Sequence, residues 1–307
     1  VSEYKDQGLD LARGVRAFPV LLWSRREVLF MWSWCVLIAC MVASRGSPPI
    51  QATVLTLGAI LLIGSSTYIY NDLVDAEMDS LSEVHRSRPM ASGRIRKSDA
   101  WLTIFVSGAA GLGLAFLVSM PVFLLCLGWL MLFAVYSHPG IRLKKMFLVK
   151  ELVVSSGWPI ISLIGGYAVT GGVSMPAMFS GLLFGAFTFL GLPALSDTFD
   201  AYEDGVYGVK SLGRVLSWRR KVQMLGLAAL LMMTVTPLTY SQLGFSVILP
   251  ILVVALSLIM LRWAVFPIIN SFEVHSAQLS RRIIYVYFLV IQVIVIASSM
   301  SVVTALF

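Results

Sequence analysis

Apolar residues in this chain run in long blocks instead of alternating. From Glu27 to Phe307, stretches long enough to cross a bilayer recur between short polar loops. Nine such stretches fall at about 27–43, 51–70, 100–119, 121–137, 151–169, 175–196, 222–240, 244–264 and 283–306. Each is expected to be helical, because lipid offers no partner to an open backbone N–H or C=O. The expected fold class is therefore all-α, a polytopic membrane protein with nine transmembrane helices. Ahead of the first span, Leu11, Val15, Phe18 and Leu22 recur at helical spacing beside Arg13 and Arg16. That pattern predicts an amphipathic segment within residues 1–26 lying on the cytoplasmic face.

Composition agrees: 58% of the 307 residues are hydrophobic and 13% are charged, where a soluble domain would carry roughly a quarter charged. The few charges are also sorted. With the N-terminus in the cytoplasm and the C-terminus outside, every Lys and Arg except Arg45 falls on the cytoplasmic side, as does every Asp and Glu. The loops on the other face, around Ser119-Met120, Thr170–Ser174 and Ser241-Gln242, are minimal connectors. The net charge of +7 suits contact with an anionic lipid bilayer, and no basic stripe interleaved with aromatics points to nucleic acid. Cys35, Cys40 and Cys126 all fall in spans, without metal-ligand or disulfide spacing. Nothing in the sequence specifies an oligomeric state.

The acidic residues gather in two clusters. The first is Tyr70-Asn71-Asp72-Leu-Val-Asp75-Ala-Glu77-Met-Asp79. If the second span continues through it as a helix, Asp72, Asp75 and Asp79 share one face, Asn71 borders that face and Glu77 points away. The second cluster, Asp197-Thr-Phe-Asp200-Ala-Tyr-Glu203-Asp204, repeats the spacing at Asp197, Asp200 and Asp204. Both follow the end of a span and precede a basic loop. The chain thus reads as one membrane domain of two related four-helix halves, about 27–137 and 151–264, plus a ninth helix. Internal repeats commonly place a site where the halves meet, so the two clusters are expected to face each other. Stacked carboxylates repel, and oxygen donors without His or Cys point to Mg²⁺. Mg²⁺ is commonly held by one or two carboxylates plus phosphate oxygens, which suits two half-sites around a diphosphate. His85, Arg86, Arg88, Arg142, Lys144, Lys145 and Lys210 are available to an anion beside the clusters. Arg88 and Lys210 are favoured because they sit in loops punctuated by Gly or Pro.

These residues resemble the UbiA superfamily of intramembrane prenyltransferases. Asn71-Asp72-x-x-Asp75-x-x-x-Asp79 is similar to that family's first aspartate motif, and Arg86-Ser-Arg88-Pro89-Met-Ala-Ser92-Gly93 to the loop after it. Tyr136-Ser137 with Leu143-Lys144 resembles the signature after the fourth helix, and Gly157-Trp158 is a softer match. Asp200-x-x-x-Asp204 followed by Gly208-Val209-Lys210-Ser211 resembles the second aspartate motif. The chain departs from the pattern at Asp197, at Ser24-Arg25-Arg26 where Arg-Pro is common, and at His138-Pro139-Gly140.

The resemblance implies an enzyme of a bacterial or archaeal cell membrane that uses Mg²⁺ and a prenyl diphosphate. It implies catalytic carboxylates at Asp72, Asp75, Asp200 and Asp204, with Asn71, Asp72, Asp75, Asp79, Asp200 and Asp204 as metal ligands. Arg88, Lys144 and Lys210 would bind phosphate, with Asn71, Tyr136 and Ser137 also on the substrate. The expected acceptor is an aromatic quinone-type precursor. The alternatives are a small-molecule or lipid acceptor of another kind (glyceryl lipid, carotenoid, phosphoribosyl) or a membrane terpene cyclase. Transport of a divalent cation or organic anion is disfavoured, because a path through the membrane needs polar groups deep in the helices, open to both faces. The charge asymmetry makes a direct prediction about orientation. In intact cells expressing the chain, Val173→Cys should react with a membrane-impermeant maleimide, and Ser92→Cys should react only after the membrane is opened.

Overall fold

The structure, a computed structural model, describes residues 11–83, 85–199, 201, 205, 208–270 and 272–300, without the side chains of residues 11–15. The described residues form helices and turns with no strand. A short helix α1 (Leu11–Ser24) leads into α2 (Arg26–Ala43), α3 (Ile50–Leu81), α4 (Lys97–Val118) and α5 (Met120–Ser137). A 3-10 turn at Leu143–Lys145 precedes α6 (Val149–Thr170) and α7 (Met175–Leu195). Then come a single turn α8 (Leu212–Val215), α9 (Trp218–Thr239), α10 (Ile248–Met260) and α11 (Val274–Ser299). The tract from α10 continues through a π-helical turn at Leu261–Val265 and a 3-10 turn at Phe266–Ile268. Among the described residues, nine of these helices are long and apolar enough to span a membrane: α2 to α7, α9, α10 with its extension to Ile268, and α11.

Three boundaries differ from the hydropathy pattern for local reasons. The second span does not stop near residue 70 but runs on as helix to Leu81, carrying the first acidic cluster with it. The eighth begins at Ile248, not 244, because Gly244 takes a left-handed conformation (φ +68°) that ends a turn. The ninth begins at Val274, well before 283. Arg281 and Arg282 are accommodated inside the helix, where Arg281 lies 5.1 Å from the Phe199 ring centre and 5.4 Å from that of Tyr285.

By contact density the described residues divide into two compact units. The first takes those up to Trp34 with Leu55–Leu143; the second takes Cys35–Val54 with those from Lys144 onward.

In the first unit, α1 is more than a surface helix. Ala17 and Leu21 are buried in a cluster with Ile69, Leu73, Met90, Ala100 and Ile104, while Phe18 and Leu22 are only half-buried. Helix α1 thus uses the small and aliphatic residues Ala17 and Leu21 to dock on α3 and α4. Trp32, Trp129 and Phe133 pack edge to face, with ring centres 5.3–6.4 Å apart. Helices α3 and α4 approach through Gly111. A Cβ there would sit 2.7 Å from Ile63 Cγ1 and 3.0 Å from the Ala59 carbonyl.

The second unit uses the same device. Gly181 and Gly185 of α7 lie against Ser162, Trp158, Ser155 and Pro159 of α6, and Gly165 lies against Ala39. Arg45, the one basic residue expected on the far face, gives its guanidinium to the carbonyls of Leu243 (2.9 Å) and Gly244, so its charge serves to fasten two loops. The cysteines are buried and unlinked.

Overpacking a close helix contact costs about 1–3 kcal/mol. Gly111→Ala should lower the unfolding temperature in detergent. Gly113→Ala, with open space around its Cβ, should leave it unchanged or raise it.

Candidate active site

The last turns of α3 carry Asn71, Asp72, Asp75 and Asp79, and the continuous helix puts the three carboxylates on one face as expected. They are buried, at 2%, 7% and 6% exposure respectively, whereas Glu77 is exposed. Three carboxylates this close in a low-dielectric setting require compensation. Three arginines supply it, each from a different segment.

Arg25, between α1 and α2, grips Asp72 with two nitrogens: Nε lies 2.8 Å from Oδ2, and a terminal nitrogen bonds to Oδ1. This fork-on-fork geometry is the strongest form of the pair. Burial, then the neighbouring Arg88 charge, push the Arg25 pKa down to about 10, which leaves it protonated at neutral pH. Arg88, from the loop after α3, lies 2.6 Å from Asp79 Oδ2 and 3.8 Å from Asp72 Oδ1. Arg142, from the segment after α5, donates to Asp75 Oδ1 at 3.0 Å and approaches the Met78 sulfur at 3.6 Å.

The loop that delivers Arg88 is folded back on itself. Pro89 and Met90 are buried, and Met90 belongs to the core formed with α1, α3 and α4. The Ser92 hydroxyl and N–H both donate to the Arg88 carbonyl (2.8 and 2.9 Å), and Gly93 closes the turn at φ +72°. Arg94 then ties down the Ser87 carbonyl. Arg88 and Arg94, with Pro19, Val20, Trp23 and Ser24 of α1, border an open cavity of about 580 Å³. At the end of α5 the Ser137 hydroxyl donates to Asn71 Oδ1 at 2.9 Å, fixing how the amide faces the carboxylates. Tyr136 is half-buried, its ring 6.0 Å from Phe133.

Lys144 and Lys210 belong to the second unit. Lys144 is half-buried in the 3-10 turn, and Lys210 is exposed, its backbone N–H 3.3 Å from the Lys145 carbonyl. Asp200 and Asp204 lie outside the described residues. Asp197, the extra acid, is buried and paired with Lys150 at 3.3 Å, and its backbone lies against Gly213. Lys221 donates to Thr198 Oγ1 (2.8 Å) and the Gly213 carbonyl (2.7 Å), and Glu151 accepts the Leu212 N–H at 2.6 Å. These contacts hold the base of the segment that carries Lys210.

The sequence puts none of the three arginines on the aspartates: Arg88 is expected on phosphate, Arg142 is one of several cations available to an anion, and Arg25 is only a departure from the family pattern. The signal was present in the need of buried carboxylates for cations from short adjoining segments.

Among the described residues, no three His, Cys, Asp or Glu side chains converge enough to hold a metal by themselves. The donors at α3 are nonetheless hard oxygens, three carboxylates and one amide. That chemistry suits Mg²⁺ completed by phosphate oxygens.

The sequence model of the UbiA prenyltransferase family matches residues 32–270. The chain belongs to the UbiA prenyltransferase family. It is 28% identical over 144 residues to a 4-hydroxybenzoate octaprenyltransferase of Shewanella baltica, an alignment covering 47% of this chain and 49% of that protein. The chain thus spans about half the length of the curated relatives it matches. Solved UbiA-type structures share the fold. A digeranylgeranylglyceryl phosphate synthase superposes with a TM-score of 0.76 at 18% identity, over 94% of this chain and 99% of that one. A UbiA homologue from Archaeoglobus fulgidus bound to DMAPP and Mg²⁺ gives 0.67 at 17% identity, with the same coverage. The nine apolar helices and the family make this UbiA member an integral membrane protein.

Removing one partner of a buried ion pair costs about 3–5 kcal/mol, because the other charge is left stranded. Arg25→Gln should therefore lower the unfolding temperature more than Arg25→Gln combined with Asp72→Asn, which strands nothing.

Proposed function

We propose that the chain transfers a prenyl group from a Mg²⁺-bound prenyl diphosphate to an acceptor within the membrane, releasing diphosphate. The observation that carries this reading is the buried Asp72–Asp75–Asp79 face matched by three arginines, in a UbiA family member. Asn71, Asp72, Asp75 and Asp79, together with Asp200 and Asp204, would hold Mg²⁺. When bound, Mg²⁺ neutralises the charge that gathers on the diphosphate as the allylic C–O bond breaks.

The chain's own groups do the rest. Arg88, Lys144 and Lys210 take diphosphate oxygens. Ser137 keeps Asn71 turned toward the aspartates, and the burial of that face keeps bulk water away from the reacting carbon. The diphosphate leaves with the electron pair of the broken bond, and an electron-rich atom of the acceptor bonds to the freed carbon and loses a proton.

An aromatic quinone-type precursor is the favoured acceptor, since the relatives found over about half their length carry the name 4-hydroxybenzoate octaprenyltransferase. The whole chain acts as one catalytic domain in a bacterial or archaeal cell membrane, with its N-terminus and acidic face cytoplasmic.

Incubation of the purified protein in nanodiscs with Mg²⁺, C10 to C20 prenyl diphosphates and a panel of aromatic and lipid acceptors, followed by mass spectrometry, tests this. A prenylated adduct is expected, reduced at least about 100-fold in Asp75→Asn and in Asp200→Asn. A terpene formed without acceptor would replace transfer by cyclisation. No consumption of any diphosphate would return the chain to the transporter reading.

A further inference from the structure

The arginines hold both oxygens of Asp72 and one oxygen each of Asp75 and Asp79, so a metal at this face would compete with them. Arg25 occupies both oxygens of Asp72, Arg88 reaches Asp79 and the edge of Asp72, and Arg142 holds Asp75. Arg142 is the least settled of the three. Its backbone sits at φ +52°, in the left-handed region that a branched-free but bulky residue adopts only when its surroundings demand it. A single nitrogen meets Asp75, and its Nε–H is buried with no acceptor. Arginine offers five donors in a fixed fork that matches phosphate as well as carboxylate. A guanidinium held near an anion by one arm, with a second donor buried and unanswered, is short of an oxyanion partner.

Charge balance then constrains what can bind. Arginines and aspartates cancel one another here. A dication added alone would displace guanidinium groups that have nowhere buried to go, leaving excess positive charge. A diphosphate added alone would confront three carboxylates. The two together come nearest to balance, with the aspartates on the metal and the arginines on the phosphate oxygens.

We propose that Arg142, with Arg25 and Arg88, exchanges its aspartate for the diphosphate and thereby makes metal and prenyl diphosphate bind cooperatively. The proposal rests on the prenyl-diphosphate reading above and assigns Arg142 as a diphosphate-binding residue. Each ligand raises the affinity of the other, as linkage requires. Metal alone is held weakly.

The test is metal binding by the full chain in detergent, with free Mn²⁺ counted by EPR, in the presence and absence of geranyl thiolodiphosphate, which does not react. Chelation by the thiolodiphosphate alone is measured and subtracted. In the wild type the thiolodiphosphate should raise Mn²⁺ affinity at least about tenfold. Arg142→Gln should bind Mn²⁺ alone more tightly than wild type, by about tenfold, and lose most of that rise. Arg142→Lys, which keeps the charge without the fork, should bind Mn²⁺ alone as the wild type does and retain only part of the rise. A merely structural role for Arg142 predicts the opposite sign, weaker Mn²⁺ binding with and without thiolodiphosphate. That result, or unaltered Mn²⁺ affinity and an unaltered rise in Arg142→Gln, overturns the proposal. If Arg142→Gln does not fold, the wild type decides: Mn²⁺ affinity unmoved by thiolodiphosphate rejects cooperativity. Failure of both probes to bind wild type under any condition would instead sink the prenyl-diphosphate reading itself, and the proposal with it.

Discussion

Three buried carboxylates on one face of one helix are the constraint around which the first unit is organised. Such a face repels itself, and burial strengthens the repulsion. The chain answers with cations from three separate places: the α1–α2 junction, the loop after α3 and the segment after α5. Meeting that need fixes much else. The loop after α3 must fold back, and does so around buried Met90 and the left-handed Gly93. The segment after α5 must turn sharply, and Arg142 bears the positive φ. Helix α1 must dock through Ala17 and Leu21 so that Arg25 arrives within reach of Asp72.

Much of this was legible in the sequence. Block hydropathy located the spans, because a membrane helix has to satisfy its backbone internally and be apolar throughout. The aspartate spacing foretold a shared face, since helix geometry allows nothing else once α3 continues to Leu81. The Pro- and Gly-marked loop leads one to expect Arg88 on a phosphate oxygen; the structure pairs it with Asp79 and Asp72. Arg25 and Arg142 were not placed at the aspartates, and the reason is physical. A membrane protein gathers Lys and Arg on its cytoplasmic side whatever their role. A guanidinium that pairs with the aspartates is hidden among topological ones, and its distance to a carboxylate tells them apart. Helix ends were also misjudged where turn chemistry outweighs hydropathy, as at Gly244, or where a long helix absorbs charges, as at Arg281 and Arg282.

The second unit shows why carboxylate spacing alone does not separate ligands from braces. Asp197 shares the i, i+3, i+7 pattern with Asp200 and Asp204, yet it is committed to Lys150 and packed on Gly213. With Glu151 on the Leu212 N–H and Lys221 on the Gly213 carbonyl, it forms a buried polar frame under α8. Each of these residues is occupied with holding the chain in place, on Lys150 or on the Leu212–Gly213 turn.

The length of α3 has a consequence of a different kind. Its 32 residues span about 48 Å, against roughly 30 Å of hydrocarbon in a bilayer. On the proposed orientation, with the acidic face cytoplasmic, the excess length falls at the aspartate-bearing end, which reaches into the headgroup zone. On the proposed reading, this single rod stands across a phase boundary that also divides the products. The diphosphate partitions to water and the lengthened hydrocarbon to lipid, so the two are separated at birth and their recombination is opposed by solubility alone.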